Sequence, residues 1–180
     1  LLTINKLFQY ILTIKVPLDE QYFHIIEEYE DSILYDFFNE KLEITILYRL
    51  LEVLNDTISD KTREISYYLS EFEIVNFEIK YPTTSFENIY FQVLKIKQIS
   101  GEQIRINIFI NDIDETDMRF RNDENIYSII LSKDIKKISG GGVGFKGTGG
   151  GSFCGCLSLA QITIPSSVTS IGKYAFCECS

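Results

Sequence analysis

The sequence predicts an α+β protein in two parts: a helical N-terminal region with a few strands over residues 1–125, then the opening of an array of repeated, stacked β-coils over 126–180. Three observations predict it. Apolar residues recur at spacings of three and four ahead of Pro82, the helical period. Ile104, Ile106, Ile108 and Ile110 alternate strictly with polar residues, the signature of a half-buried strand. Finally, Phe153-Cys154-Gly155-Cys156 returns as Phe176-Cys177-Glu178-Cys179, an offset of 23 residues.

Each N-terminal element follows from its own pattern. Tyr22, Ile25, Ile26, Tyr29, Ile33 and Phe37 fall on one helical stripe, with Pro17 and Asp19 supplying a start. A second helix is expected over Glu43 to Ile58, carrying Ile46, Leu47, Leu50, Leu51 and Leu54. Ser59-Asp60-Lys61 is a polar break that caps a third helix through Ile65, Tyr68 and Leu69. Phe72, Ile74, Phe77 and Ile79 suit an extended segment ending at Pro82, and Phe91, Val93, Leu94 and Ile96 read as a strand. After the alternating isoleucines, Asn111 to Asn125 is a polar connection.

Composition bounds the function classes. With 180 residues, the chain holds one domain of ordinary size or two small ones. Hydrophobic residues at 45% and charged residues at 24% exclude a disordered chain. A formal net charge of -9 repels polyanions, so nucleic acid is not an expected partner. No uncharged apolar run reaches the roughly 18 residues of a membrane-spanning helix. The chain opens at Leu1 without an initiator Met and stops at Ser180 inside the repeat pattern, so it reads as a piece of something longer and the lack of a signal peptide carries no weight.

The composition also changes along the chain. Residues 1–139 hold 25 of the 26 acids and 15 of the 17 bases, while residues 140–180 hold only Lys146, Lys173 and Glu178. Eight of the 11 glycines lie between Gly140 and Gly151, and all 4 cysteines follow Ser152. A boundary is therefore expected near residue 139 or somewhat before it.

No catalytic arrangement emerges in the first part, and no enzyme is predicted. The single histidine, His24, sits beside Ile25 and Ile26 and reads as a partly buried structural residue. Glu27, Glu28, Glu30 and Asp31 are consecutive acids that fan around a helix and form a solvated face. The run Asn111-Asp112-Ile113-Asp114-Glu115-Thr116-Asp117 has the composition of a calcium loop, but lacks the Gly at its sixth position and has Asn122 where the twelfth-position Glu is needed. Gly142-Val143-Gly144-Phe145-Lys146-Gly147 fits the dinucleotide fingerprint as letters alone. That chemistry needs a helix opening at the last Gly and an acid downstream for the ribose. Thr148-Gly149-Gly150-Gly151 opposes a helix, and the next acid is Glu178. The run reads as a flexible Gly-rich excursion; a nucleotide-binding regulator is the remote alternative. No cofactor is expected.

The last 30 residues carry the informative pattern. Ile130-Leu131-Ser132-Lys133-Asp134-Ile135-Lys136-Lys137-Ile138-Ser139 lines up with Thr163 to Gly172 at an offset of 33, which is the 23-residue period plus the Gly-rich insertion. This period with spaced Leu and Ile reads as a leucine-rich-repeat β-solenoid, with a capping coil at 126–139, the insertion at 140–151 and a full repeat at 153–180. Its expected core is Phe153, Cys156, Leu159, Ile162, Ile164, Val168, Ile171, Ala175, Phe176 and Cys179. Gln161 and Thr163 face outward as a partner-binding strand face. Pro165 ends the strand and Gly172 allows a turn.

The segment from Leu159 to Ser180, Leu-x-x-Ile-x-Ile-Pro-Ser-Ser-Val-Thr-Ser-Ile-Gly-x-x-Ala-Phe-x-x-Cys-Ser, resembles the BspA-type (Treponema pallidum type) leucine-rich repeat, which abounds in parasitic protists. The resemblance covers residues 153–180, is weak over 126–139 and is absent before. It implies a curved solenoid that binds other proteins or cell surfaces, with adhesins among its bacterial relatives and no catalytic residues to carry over. It also places Cys156 and Cys179 at the family's usual buried cysteine.

Three readings of the cysteines stay open. Reduced, buried apolar residues are the default. A Cys154–Cys177 disulfide is the second, since equivalent positions of stacked coils lie within bridging reach. Zinc held by the two Cys-x-Cys pairs is the third, although repetition explains the spacing without a metal. The functional expectation is non-catalytic protein–protein or cell-surface recognition, with an intracellular adaptor as the alternative. Self-association through the open repeat edge is also expected. Cell surface and cytoplasm both remain open.

Overall fold

The computed structural model describes residues 33–36, 43–70, 72–142 and 149–179. They form two compact units. The first comprises the described residues up to Ile79 together with Thr84–Arg105, and the second comprises Lys80–Thr83 and residues from Ile106 onward.

In the first unit, β1 (Ile33–Asp36) runs antiparallel to β2 (Glu43–Ile46), which pairs in parallel with β3 (Ile74–Tyr81). Helix α1 (Tyr48–Leu69) connects β2 to β3, making a parallel β–α–β crossover. Ile44 and Ile46 are buried while Glu43 and Thr45 are not, so the strand period wins where a helix was expected to begin. Its alternating β-branched residues suit a pleated surface. Likewise Ile33–Asp36 is a strand, not the end of a helix, while Tyr22–Asp31 of that expected helix lies outside the described residues.

Helix α1 runs unbroken through Ser59-Asp60-Lys61. A cap residue stops a helix only where the chain must turn, and nothing here does: no Gly or Pro interrupts the segment. Leu50, Leu51, Ile65 and Leu69 are buried along its inner stripe. It packs against helix α2 (Phe86–Ser100), which stands where a strand was expected from Phe91 to Ile96. The reason is the spacing of the larger set: Phe86, Ile89, Tyr90, Val93 and Ile96 recur at three and four and are all buried, whereas Phe91 points outward. Gly101, at φ 86°, ends the helix in a backbone conformation that a side chain would strain.

In the second unit, β4 (Ile104–Ile110) pairs in parallel with β5 (Ile126–Leu131), and β5 pairs in parallel with β7 (Gln161–Thr163). The short strands β6 (Lys137–Ile138) and β8 (Ser170–Ile171) form a separate parallel pair. Strand β4 buries all four of its isoleucines and exposes the residues between them in part, as the alternation predicts.

The expected fold class is therefore corrected. The chain is not an α+β region followed by the first coils of a leucine-rich-repeat solenoid. It is a mostly parallel α/β arrangement, with a helical crossover between parallel strands and only β1/β2 antiparallel among the paired strands within each unit. The physical reason lies at β4. Its edge offers β5 a parallel partner, Asn107 opposite Ser128 through Ile110 opposite Leu131, so the repeated segment extends an α/β sheet strand. The sequence match between residues 126–139 and 159–172 does not reach back to β4 and could not show this.

Candidate recognition surface

The second unit is built in successive layers whose registers are fixed by pairing. Ser128, Ile129 and Ile130 face Gln161, Ile162 and Thr163, and Lys137 and Ile138 face Ser170 and Ile171. Thr169 donates from its hydroxyl to the Lys136 carbonyl across the same separation of 33 residues. Aromatic rings follow the layers: Tyr81 meets Phe120 edge-on at 4.9 Å, Phe120 stacks on Phe153 at 6.4 Å, and Phe153 stacks on Phe176 at 5.4 Å. Phe120 was not recognised from the sequence. The available signal was Phe120-Arg121-Asn122-Asp123 standing in place of Phe-Cys-x-Cys.

Polar side chains join the layers too. The Thr116 and Ser152 hydroxyls are 2.7 Å apart, the Ser139 amide donates to Thr116 Oγ1 at 3.0 Å, and Ser152 Oγ donates to the Ser139 carbonyl at 3.2 Å. All three residues are buried, so each bond satisfies a group that would otherwise be costly. At the rim, Lys137 Nζ lies 2.7 Å from the Glu115 carboxylate and the Ser139 hydroxyl donates to it; these hold Glu115 below the ordinary carboxylate value. Gly172 serves a close approach: it lies against the backbone of Gly140, where either residue's Cβ would collide with the other.

Cys154 and Cys177 are joined by a disulfide across a Cα separation of 4.5 Å. The reduced default thus fails for this pair, because the layering brings the two positions within bonding reach. Cys156 and Cys179 are free thiols. Burial, reinforced by the neighbouring Cys179 thiol, pushes Cys156 up to about 12, and burial also raises Cys179. Among the described residues no group of three or more His, Cys, Asp or Glu converges as a metal site.

The expected core residues divide. Phe153, Cys156 and Ala175 are buried; Leu159, Ile162, Val168, Phe176 and Cys179 are half-buried; Ile164 and Ile171 are exposed, at 40% and 55%. The exposed pair belongs to the outermost layer, which has no described neighbour beyond it. Strand β7 closes the strand order, so one of its edges is unpaired among the described residues. Gln161 and Thr163 are both exposed. The Ala160 amide donates to the Tyr127 carbonyl at 2.8 Å, toward β5. The Ser132 amide donates to the Ile110 carbonyl, so the backbone groups of Ile130 face β4 and those of Ile129 and Leu131 face β7. With Ile129 opposite Ile162 and Ile130 opposite Thr163 in a parallel pair, the backbone groups of Gln161 and Thr163 face β5 and those of Ile162 point to the open edge. The surface is the edge of a strand flanked along the chain by the exposed Leu157 and Ile164.

His24, Glu27, Glu28, Glu30 and Asp31 lie outside the described residues, as does the Gly-rich stretch 143–148. The connection at Asn111–Asn125 is an ordered loop, with Asp112 and Asn122 in left-handed conformations. No helix among the described residues is long and apolar enough to cross a membrane. No known protein family, curated protein or solved structure matches the chain.

Proposed function

We propose that this chain is a non-catalytic recognition protein that accepts an extended segment of another protein on the open edge of β7. The observation that carries the reading is the unpaired edge of β7, to which the Ile162 backbone groups point beside exposed apolar residues. An unpaired edge presents the donors and acceptors that a partner strand needs, and neighbouring side chains supply selectivity. The protein already makes such a contact internally, where β5 accepts β7.

The local charge supports the same place. Residues 140–180 carry only Lys146, Lys173 and Glu178, while the rest of the chain is strongly acidic. A partner approaching the C-terminal strands avoids most of that repulsion. The Cys154–Cys177 disulfide favours an oxidising, surface-facing setting over an adaptor in a reducing cytosol. The resemblance of residues 159–180 to the BspA-type repeat, whose relatives include adhesins, points the same way.

A labelled peptide of residues 157–165 tests the proposal, because that segment is the one β5 accepts. Fluorescence anisotropy should show saturable binding to the full chain. Ile162→Pro, which removes one outward N–H, should weaken it about 3–10-fold. Absence of binding up to the solubility limit, or equal binding by the Ile162→Pro chain, would contradict the reading.

A further inference from the structure

The four cysteines form two equivalent pairs, one closed and one open. Cys154 is bonded to Cys177, and Cys156 and Cys179 stand two residues further along each segment at the same separation of 23. Their thiols are placed alike. Cys156 Sγ donates to the Phe120 carbonyl at 3.1 Å, and Cys179 Sγ donates to the Phe153 carbonyl at 3.0 Å. Phe120, Phe153 and Phe176 are consecutive rings of one stack, so the two thiols occupy the same place in adjacent layers.

The backbone holds those layers together around the open pair. The Phe153 amide donates to the Ala175 carbonyl at 2.9 Å and the Gly155 amide to the Cys177 carbonyl at 2.7 Å. Adjacent layers of a parallel ladder are about 4.8 Å apart, inside the Cα range of about 4.4–6.8 Å that a disulfide spans.

We propose that Cys156 and Cys179 are the site of a second, inducible disulfide, closed by exchange with a low-molecular-weight disulfide. Cys179, half-buried, is the residue that meets the reagent; Cys156 is sealed. The Cys179 thiol gives its proton to solvent and its sulfur attacks the reagent. The reagent's S–S bond breaks and one thiolate leaves, taking up a proton. Cys156 then loses its proton and attacks the Cys179 sulfur of the mixed disulfide, expelling the second thiolate. Two protein thiols are oxidised and one reagent disulfide is reduced to two thiols. Only the second attack uses Cys156, and it occurs inside the protein, so burial of Cys156 does not block it.

The product ties residues 176–179 to residues 153–156 a second time, at the layer that bears the exposed Ile171 and Tyr174. The existing bond and the new one then clamp the same two segments on either side of Gly155 and Glu178.

The test is intact mass and peptide mapping of the full chain after incubation with oxidised glutathione, followed by alkylation under denaturing conditions. The expected product loses two further hydrogens relative to the starting protein and takes up no alkylating reagent. Cys156→Ser should instead stop at glutathione attached to Cys179, and Cys179→Ser should leave Cys156 free for alkylation after unfolding. Two alkylated thiols in the treated wild-type chain would overturn the proposal. So would stable glutathione on Cys179 of the wild-type chain with Cys156 still free. Retention of the Cys154–Cys177 bond, read in the same maps, shows that each variant has kept its layers.

Discussion

Phe153 lies between Phe120 and Phe176, its ring centroid 6.4 Å from the first and 5.4 Å from the second, and is itself fully buried. Each ring belongs to a different layer, so Phe153 is the side chain through which the inner and outer layers of the second unit share a core. Removing it deprives both neighbours of a packing face.

Phe153→Ala should therefore destabilise the chain by about 3–5 kcal/mol, the cost of a large cavity in a packed core. Phe176→Ala, at a half-buried position in the last layer, should cost visibly less. Urea unfolding followed by tyrosine fluorescence checks the order; equal losses would show that Phe153 does not bridge the layers.

The Cys154–Cys177 bond should stabilise the second unit by about 3 kcal/mol, as closing a loop of this size restricts the unfolded chain. A phosphine reductant should lower the unfolding midpoint of the wild-type protein and leave that of Cys154→Ala/Cys177→Ala unmoved. A midpoint indifferent to reductant in the wild type would show that the bond carries no stability.

Glu78 gives a pH-dependent prediction. Burial raises its carboxyl above the ordinary value of 4.5, and Arg49 offsets this only in part. A raised folded-state value means that the protonated form is favoured by folding. Its stabilising contribution is present below the unfolded value and lost as pH rises through the folded one. Glu78→Gln should accordingly raise the thermal midpoint at pH 7, and the gain should disappear on acidification below pH 4.5. Thermal melts of both chains across that range decide it; a lower midpoint at pH 7 would mean that the charge on Glu78 is stabilising.

The two faces of β7 should respond unequally to proline. The Thr163 amide points toward β5, so Thr163→Pro should cost about 1–3 kcal/mol through the lost ladder bond. The Ile162 amide points to the open edge, so Ile162→Pro loses no ladder bond and should cost less than Thr163→Pro. Chemical denaturation of the two variants separates them, and a larger loss for Ile162→Pro would place its amide in the ladder.

The part of the fold legible in the sequence was the part where a local period is unambiguous. Ile104 to Ile110 alternate without exception, and β4 buries all four isoleucines. The alignment of Ile130–Ser139 with Thr163–Gly172 has the offset at which Ile130 meets Thr163 and Ile138 meets Ile171. Glu43–Ile46 was misread because four residues of a strand run directly into a helix of similar apolar content, leaving too short a window to separate the periods. Phe91–Ile96 was misread because Phe91 and Leu94 are apolar but not buried, which disguised the stripe through Phe86, Ile89, Tyr90, Val93 and Ile96.

The candidate surface was legible in its side chains and hidden in its backbone. Gln161 and Thr163 face outward as alternation predicts. Ile164 and Ile171 were expected in the core because the repeat pattern presumes a further layer above them, and the described residues hold none. Thr116 and Phe120 escaped notice because their layer matches the others in geometry while keeping little of their sequence.

Amide hydrogen exchange at Ile162, measured with and without the peptide of residues 157–165, tests the proposed recognition edge most directly. The Ile162 amide should exchange quickly in the free protein and slow on peptide addition, while Thr163 stays protected throughout. Exchange at Ile162 that is already slow in the free monomer, or that the peptide leaves unchanged at saturating concentration, would contradict the account.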